Sequence, residues 1–170
     1  MKRNNSVKHV CTIITMAGVG ICSVNATGIT LQAAVSTVTT ITVTPGAGHN
    51  TLDLSIDQTT DLKVATVNEK SNKQNGYTVS IHSAGAVSQG GGRLAKLVGS
   101  LATPESLTYN MKYDGAAVTL VGGAATVTDA SEKTRGNGAE KELTITYMGA
   151  NANLAADTYS DIITLTIAAK

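Results

Sequence analysis

Phenylalanine and tryptophan are absent from this chain of 170 residues, and five tyrosines are its only aromatic side chains. The core must therefore come from Val, Ile, Leu and Ala, the larger of which contribute about 1.5–3 kcal/mol each on full burial. A domain so built needs many well-paired strands, or help from outside itself. Cysteine occurs only at Cys11 and Cys22. Charge is scarce as well, and from Val10 to Leu52 there is no Asp, Glu, Lys or Arg.

The first residues read as an export signal. Lys2, Arg3 and Lys8 make a basic start, and an apolar run follows from Val10 to Val24. Val24 and Ala26 supply the small residues of a cleavage site after Ala26. A retained anchor is the other reading, but the run is short against the roughly 20 apolar residues a spanning helix needs. Ile21 stands before Cys22 where lipidation requires a small residue, which argues against a lipoprotein. Both cysteines fall inside this 1–26 signal, so the expected mature chain, Thr27–Lys170, has 144 residues and no thiol. Cysteine catalysis and thiolate metal sites are thereby excluded, and no disulfide is expected although export permits one.

Removing Lys2, Arg3 and Lys8 from the 13 Lys+Arg leaves 10 against 12 Asp+Glu, a net charge of −2. Without a basic stripe, nucleic-acid binding lacks its electrostatic footprint, and no nucleic-acid partner is expected. The mature length fits one domain.

The dominant period is two. Leu52, Leu54 and Ile56 share one face of Thr51–Asp57, and Leu62, Val64 and Val67 are inward candidates in Asp61–Val67. Tyr77, Val79 and Ile81 alternate with Thr78, Ser80 and His82. Such alternation predicts strands with one dry and one wet face. Asn75-Gly76 closes a polar run before Tyr77, and Asp114-Gly115 between Ser106–Tyr113 and Ala116–Leu120 suits a type I′ hairpin. Thr39–Thr44, Glu142–Tyr147 and Thr158–Ala168 complete about eight short strands, the pattern of a β-sandwich. Only Gly91–Leu101 has helical character, one or two turns at most.

Chemistry-bearing constellations are missing. His49 lies in a turn-like stretch and His82 on a polar strand face, neither with a second ligand at zinc spacing. Gly90-Gly91-Gly92-Arg93 lacks the Gly-Lys-Ser/Thr ending of a phosphate loop and reads as a flexible loop, 85–92. Asp53, Asp57 and Asp61 do not converge without help, which favours a solvated edge over a weak calcium site. No nucleophile elbow and no Ser-His-Asp set is present. The expectation is a protein that is not an enzyme, without catalytic residues, metal or cofactor.

The uncharged N-terminal "GITLQAAV", "NGYTVSIHS" and the C-terminal "DTYSDIITLTI" together resemble the subunits of bacterial chaperone–usher pili. The likeness is to the cysteine-free alpha lineage (colonisation-factor fimbriae) and to the archaic lineage related to spore coat protein U domains. Many archaic pilins carry a disulfide that this chain lacks, which favours the alpha type. The resemblance implies an all-β, immunoglobulin-like β-sandwich that is incomplete, missing its last strand, with an N-terminal donor-strand extension. It implies a signal at 1–26, an extension at 27–38 and a pilin domain at 39–170. A periplasmic chaperone fills the gap first; at the outer-membrane usher, the next subunit's extension replaces it, building a surface homopolymer that serves adhesion.

In that reading Ile29, Leu31, Ala33 and Val35 are the donor residues, since alternate positions face one side of an extended strand. A one-residue slip turns Thr30 and Gln32 inward, so register is fixed. Ile163, Leu165 and Ile167 are the matching inward set of the last strand, and Lys170 bears the carboxylate that the family's chaperones hold with cations. The competing reading is a self-contained secreted β-sandwich, a binding module or coat protein whose N-terminal strand folds back into its own sheet.

Overall fold

Alternation decides the architecture. Tyr77, Val79 and Ile81 are buried while Ser80 and His82 are exposed, so this stretch has one dry face. A computed structural model describes residues 31–150 and 152–170 of the chain. Among them are ten strands and one short helix: β1 Thr39–Pro45, β2 Asp57–Ser71, β3 Tyr77–Ser83, α1 Ala84–Ser88, β4 Ala95–Gly99, β5 Ser106–Tyr113, β6 Ala116–Val118, β7 Ala124–Ala130, β8 Ala139–Met148, β9 Tyr159–Ser160 and β10 Ile163–Ala169. They form two antiparallel sheets, ordered β1-β2-β8-β5-β4-β9 (with β6 also on β5) and β10-β3-β7. Val67, Met111, Leu143 and Ile145 from one sheet meet Ile81 from the other in a shared core. The all-β, immunoglobulin-like sandwich expected from the sequence is the fold observed. It lies within the compact unit Val35–Lys170; of the preceding unit, only Leu31–Ala34 are described, all exposed and without regular structure.

Several local expectations hold at the level of single turns. Asp114 and Gly115 have φ of 51° and 79°, and Tyr113 pairs directly with Ala116, as a type I′ hairpin requires. Thr39–Thr44 opens the sandwich as β1, paired in register with β2 from Thr39↔Ser71 to Pro45↔Ala65.

Four expectations are corrected. Thr51–Ile56 is not a strand, because the Asp53 carboxylate accepts from the Ser55 N–H (2.9 Å) and hydroxyl (2.6 Å) and closes a local turn. β2 instead runs for 15 residues to Ser71, and a bulge between Lys63 and Ala65 shifts its inward set onto Ala65, Val67, Glu69 and Ser71. Helical spacing in Gly91–Leu101 is overruled by pairing with β5, which makes Ala95–Gly99 a strand. The helix lies instead at Ala84–Ser88, overlapping the stretch read as a loop, 85–92, where the Ser83 hydroxyl accepts from the Ala86 N–H at 3.0 Å. β7 alternates too weakly for its sequence to mark it as a strand.

One buried acid holds the two sheets in place. Glu69 on β2 is fully buried and accepts from Tyr113 of its own sheet (2.6 Å) and from Tyr77 and Thr128 of the other (2.9 and 2.7 Å). Its partners are hydroxyls rather than a cation. The four ion pairs among the described residues, such as Lys63–Glu142 and Lys112–Asp61, are surface contacts, each contributing roughly 0–1 kcal/mol.

Removing an acceptor from a buried donor costs about 1–3 kcal/mol. We expect Tyr113→Phe to lower the unfolding free energy by about that much and Glu69→Ala, which strands three hydroxyls, by several kcal/mol. Urea melts followed by circular dichroism measure both; losses no larger than those from an exposed Thr→Ala change would remove Glu69 from this role. The same cluster sets an alkaline limit. Burial first, then the Glu69 hydrogen bond and charge, push the Tyr77 hydroxyl up to about 12 and move Tyr113 the same way. Because the folded value exceeds that of an unfolded tyrosine, this stability is complete below pH about 10 and lost as pH rises through the folded value. The part of the tyrosinate absorbance that belongs to Tyr77 and Tyr113, found by difference against the Tyr→Phe variants, should therefore appear together with loss of the β-sheet signal; those two titrating while the sheet persists would contradict it.

Candidate functional site: the open edge between β1 and β10

β1 begins the larger sheet and β10 the smaller, and among the described residues each is paired on one side only. Their Cα atoms come within 8 Å, yet no ladder joins them. On such an edge, every second residue points its N–H and C=O away from the sheet, unpaired. Between the two strands opens a groove of about 240 Å³. Val43 and Pro45 form one wall, Ile163 and Leu165 the other, and core residues such as Met111 and Ile145 the floor. Among the described residues, the sandwich is therefore open to its core along one flank.

Burial records what is missing. Ile163, Leu165 and Ile167 point inward but are only half-buried, whereas Ser83, Ile81 and Val79, their register partners on β3, are wholly buried. On β1, Ile41 is half-buried and Val43 is 43 % exposed, so cover declines toward Pro45. Neither strand contains a charged residue. The other edges are blunted in the usual ways: β7 carries Asp129, and β9 is two residues long.

Asp161 anchors the start of β10. Its carboxylate accepts from the Tyr109 hydroxyl (2.7 Å), the Ser83 hydroxyl (2.6 Å) and the Gly85 N–H (2.7 Å), tying the strand to β5, β3 and α1. Burial, then this hydrogen bond and the Asp161 charge, drive the Tyr109 hydroxyl far above the usual tyrosine range. Past Asp161 the groove widens into a polar cleft of about 700 Å³, with His49, Leu52, Leu97 and Asp161 common to both. Asp157 on its rim is held below the usual carboxylate range, chiefly by the Ser100 hydroxyl; desolvation opposes this, and the N–H groups of Thr158, Leu101 and Ser100 add to it. Asp53 is lowered by the hydroxyl and then the N–H of Ser55.

The structure distributes the expected site residues as follows. Ile29 and the 1–26 signal lie outside the described residues. Leu31 (92 %), Ala33 and Val35 (89 %) are exposed. Ile163 and Leu165 line the groove, while Ile167 continues their face beyond it, opposite Val79. Lys170 sends its ammonium across β3 to Asp129 on β7, and its N–H donates to Gly76 O at 3.1 Å. That side chain thus points away from the free edge of β10. Val43, Pro45 and Asp161 were missed as groove residues, although a proline ending an uncharged strand is a sign of an edge.

The remaining candidates are held apart. His49 donates from Nδ1 to Gly46 O at 2.7 Å, and His82 is exposed on β3. Asp57 accepts from the Ala150 N–H, and Asp61 pairs with Lys112. What the open edge offers is main-chain donors and acceptors above an apolar trough, the requirement for adding an extended strand.

No protein-family model matches the chain, and no curated protein does. Among solved structures, the minor tip subunit HdaB of the E. coli Hda pilus aligns with 75 % of this chain and 79 % of its own, at 13 % identity and a TM-score of 0.34.

Proposed function

We propose that this chain is a structural subunit of a surface pilus that polymerises by donor-strand exchange. The N-terminal stretch of one copy completes the open edge of the next. The observation that carries this is the pairing of two bare, adjacent, unpaired edges with an apolar groove between them. A protein working alone blunts such edges; one that receives a strand needs them bare.

The N-terminal stretch suits the groove. Leu31, Ala33 and Val35 alternate with Gln32 and Ala34, and Ile29 extends the same face. Burial of Ile29, Leu31 and Val35 contributes about 1.5–3 kcal/mol each, and Ala33 less. Ladder hydrogen bonds to β10 supply affinity, and the alternate side chains supply register. Before assembly a periplasmic chaperone occupies the groove, and an outer-membrane usher hands it to the next subunit. The chain is exported through the periplasm to the cell surface, where the polymer serves adhesion.

Removal of residues 27–35 should abolish fibres in electron micrographs of producing cells while leaving the sandwich folded and the chaperone bound. Leu31→Asp should reduce fibre yield at least tenfold, since it places a charge in an apolar trough. Fibres of normal length from the truncated chain would sink the proposal. Reversible monomeric unfolding, with residues 27–35 protected within one copy, would favour the self-contained module instead.

A further inference from the structure

The charges of the sandwich are sorted by end. Where β1 finishes and β10 starts, the β1–β2, β4–β5 and β8–β10 connections carry Asp53, Glu105, Asp157 and Asp161, with Asp57 at the start of β2, and no Lys or Arg; Arg93 lies further along the β3–β4 connection. These five surround the polar cleft: Asp53, Asp157 and Asp161 line it, Asp57 holds Ala150, and Glu105 holds Ala155. All are satisfied by neutral donors, and none joins an ion pair among the described residues.

The opposite end collects free cations. Thr39 pairs with Ser71 there, Lys70 precedes Ser71, and Lys73 follows in the turn to β3. The β7–β8 connection brings Lys133 and Arg135 to the same place, fixed by the Thr134 N–H on Ser71 O at 2.9 Å. These four form no ion pair among the described residues. Glu69, Glu132 and Glu140 offset part of that charge, and Lys141 and Lys170 are already paired.

This basic end is also where the N-terminal stretch is tethered. Asn72 donates to Ser36 O (2.7 Å) and accepts from the Val38 N–H (2.8 Å), clamping the chain just before β1. From Val35 to Thr39 is four residue steps, which span at most about 14 Å. If Val35 is the last residue in a neighbour's groove, the basic end must lie against that neighbour. The groove has one end that opens into an acidic cleft, and the complementary charge selects it.

Building on the donor-strand reading, we infer that the acidic cleft is the seat for the basic end of the next copy. Lys70, Lys73, Lys133 and Arg135 then face Asp53, Asp57, Glu105 and Asp157, a head-to-tail contact that repeats without closing. The gap is on the scale of the Debye length, about 8–10 Å near physiological salt, so the attraction is salt-sensitive. It steers each incoming copy to the correct end of the groove before the strand inserts. The inserted strand then runs from the end of β10 toward Asp161.

Fibres treated with a zero-length carbodiimide and analysed by mass spectrometry, with isotopically mixed copies, read the contact directly. Links between copies should join Lys70, Lys73 or Lys133 to the acids of the cleft. Elongation of the unmodified chain should slow as salt is raised. The variant K70E/K73E/K133E/R135E, all on the surface, should elongate about tenfold more slowly at low salt and lose that salt dependence. Fibres that form normally, carry no such links and are indifferent to the reversal would overturn the pole-to-pole contact alone. If the unmodified chain makes no fibres, the donor-strand reading falls and this contact with it.

Discussion

A carboxylate without a cation keeps the two sheets in register. Glu69 gathers hydroxyls from β3, β5 and β7, and Asp161 gathers others from β3 and β5 nearer the opposite end. A core lacking Phe and Trp has few large contacts with which to fix the approach of its layers. Hydrogen-bonded tyrosines take over that task, and all five tyrosine hydroxyls donate to a protein acceptor. Because these two clusters hold the layers near both ends, the flank between β1 and β10 can stay open without collapse of the sandwich.

The open flank and the bare N-terminal stretch are complementary deficits. Among the described residues, β10 has an apolar face that is only half-covered, and Leu31 and Val35 have apolar side chains that are almost fully exposed. Each is a liability in isolation, and in the proposed polymer each is removed by the other in a neighbouring copy. On this account, stability of the assembled fibre belongs to pairs of chains rather than to one. The charge sorting fits the same logic, since a polymer that grows from one end gains from ends that differ.

Much of this was legible in the sequence, because period-two patterning survives in β3, β5, β8 and β10, and Asp114-Gly115 marks its turn plainly. The inward set Ile163, Leu165 and Ile167 was readable for the same reason. Two kinds of feature were not. Competition between local and tertiary bonding misled at Thr51–Ile56, where Asp53 prefers its own turn, and at Ala95–Gly99, where pairing with β5 overrules helical spacing. Glu69 was hidden because an acid in "NEKSNKQNG" looks solvated. Only its phase with Ala65 and Val67, and five tyrosines needing partners, pointed inward.

Backbone hydrogen exchange of β10 and β1, compared between isolated subunits and assembled fibres, tests the central claim most directly. The account predicts that amides of both strands exchange readily in the isolated chain and become strongly protected in the fibre, together with residues 29–35. Protection of β10 that is the same in both states would contradict it.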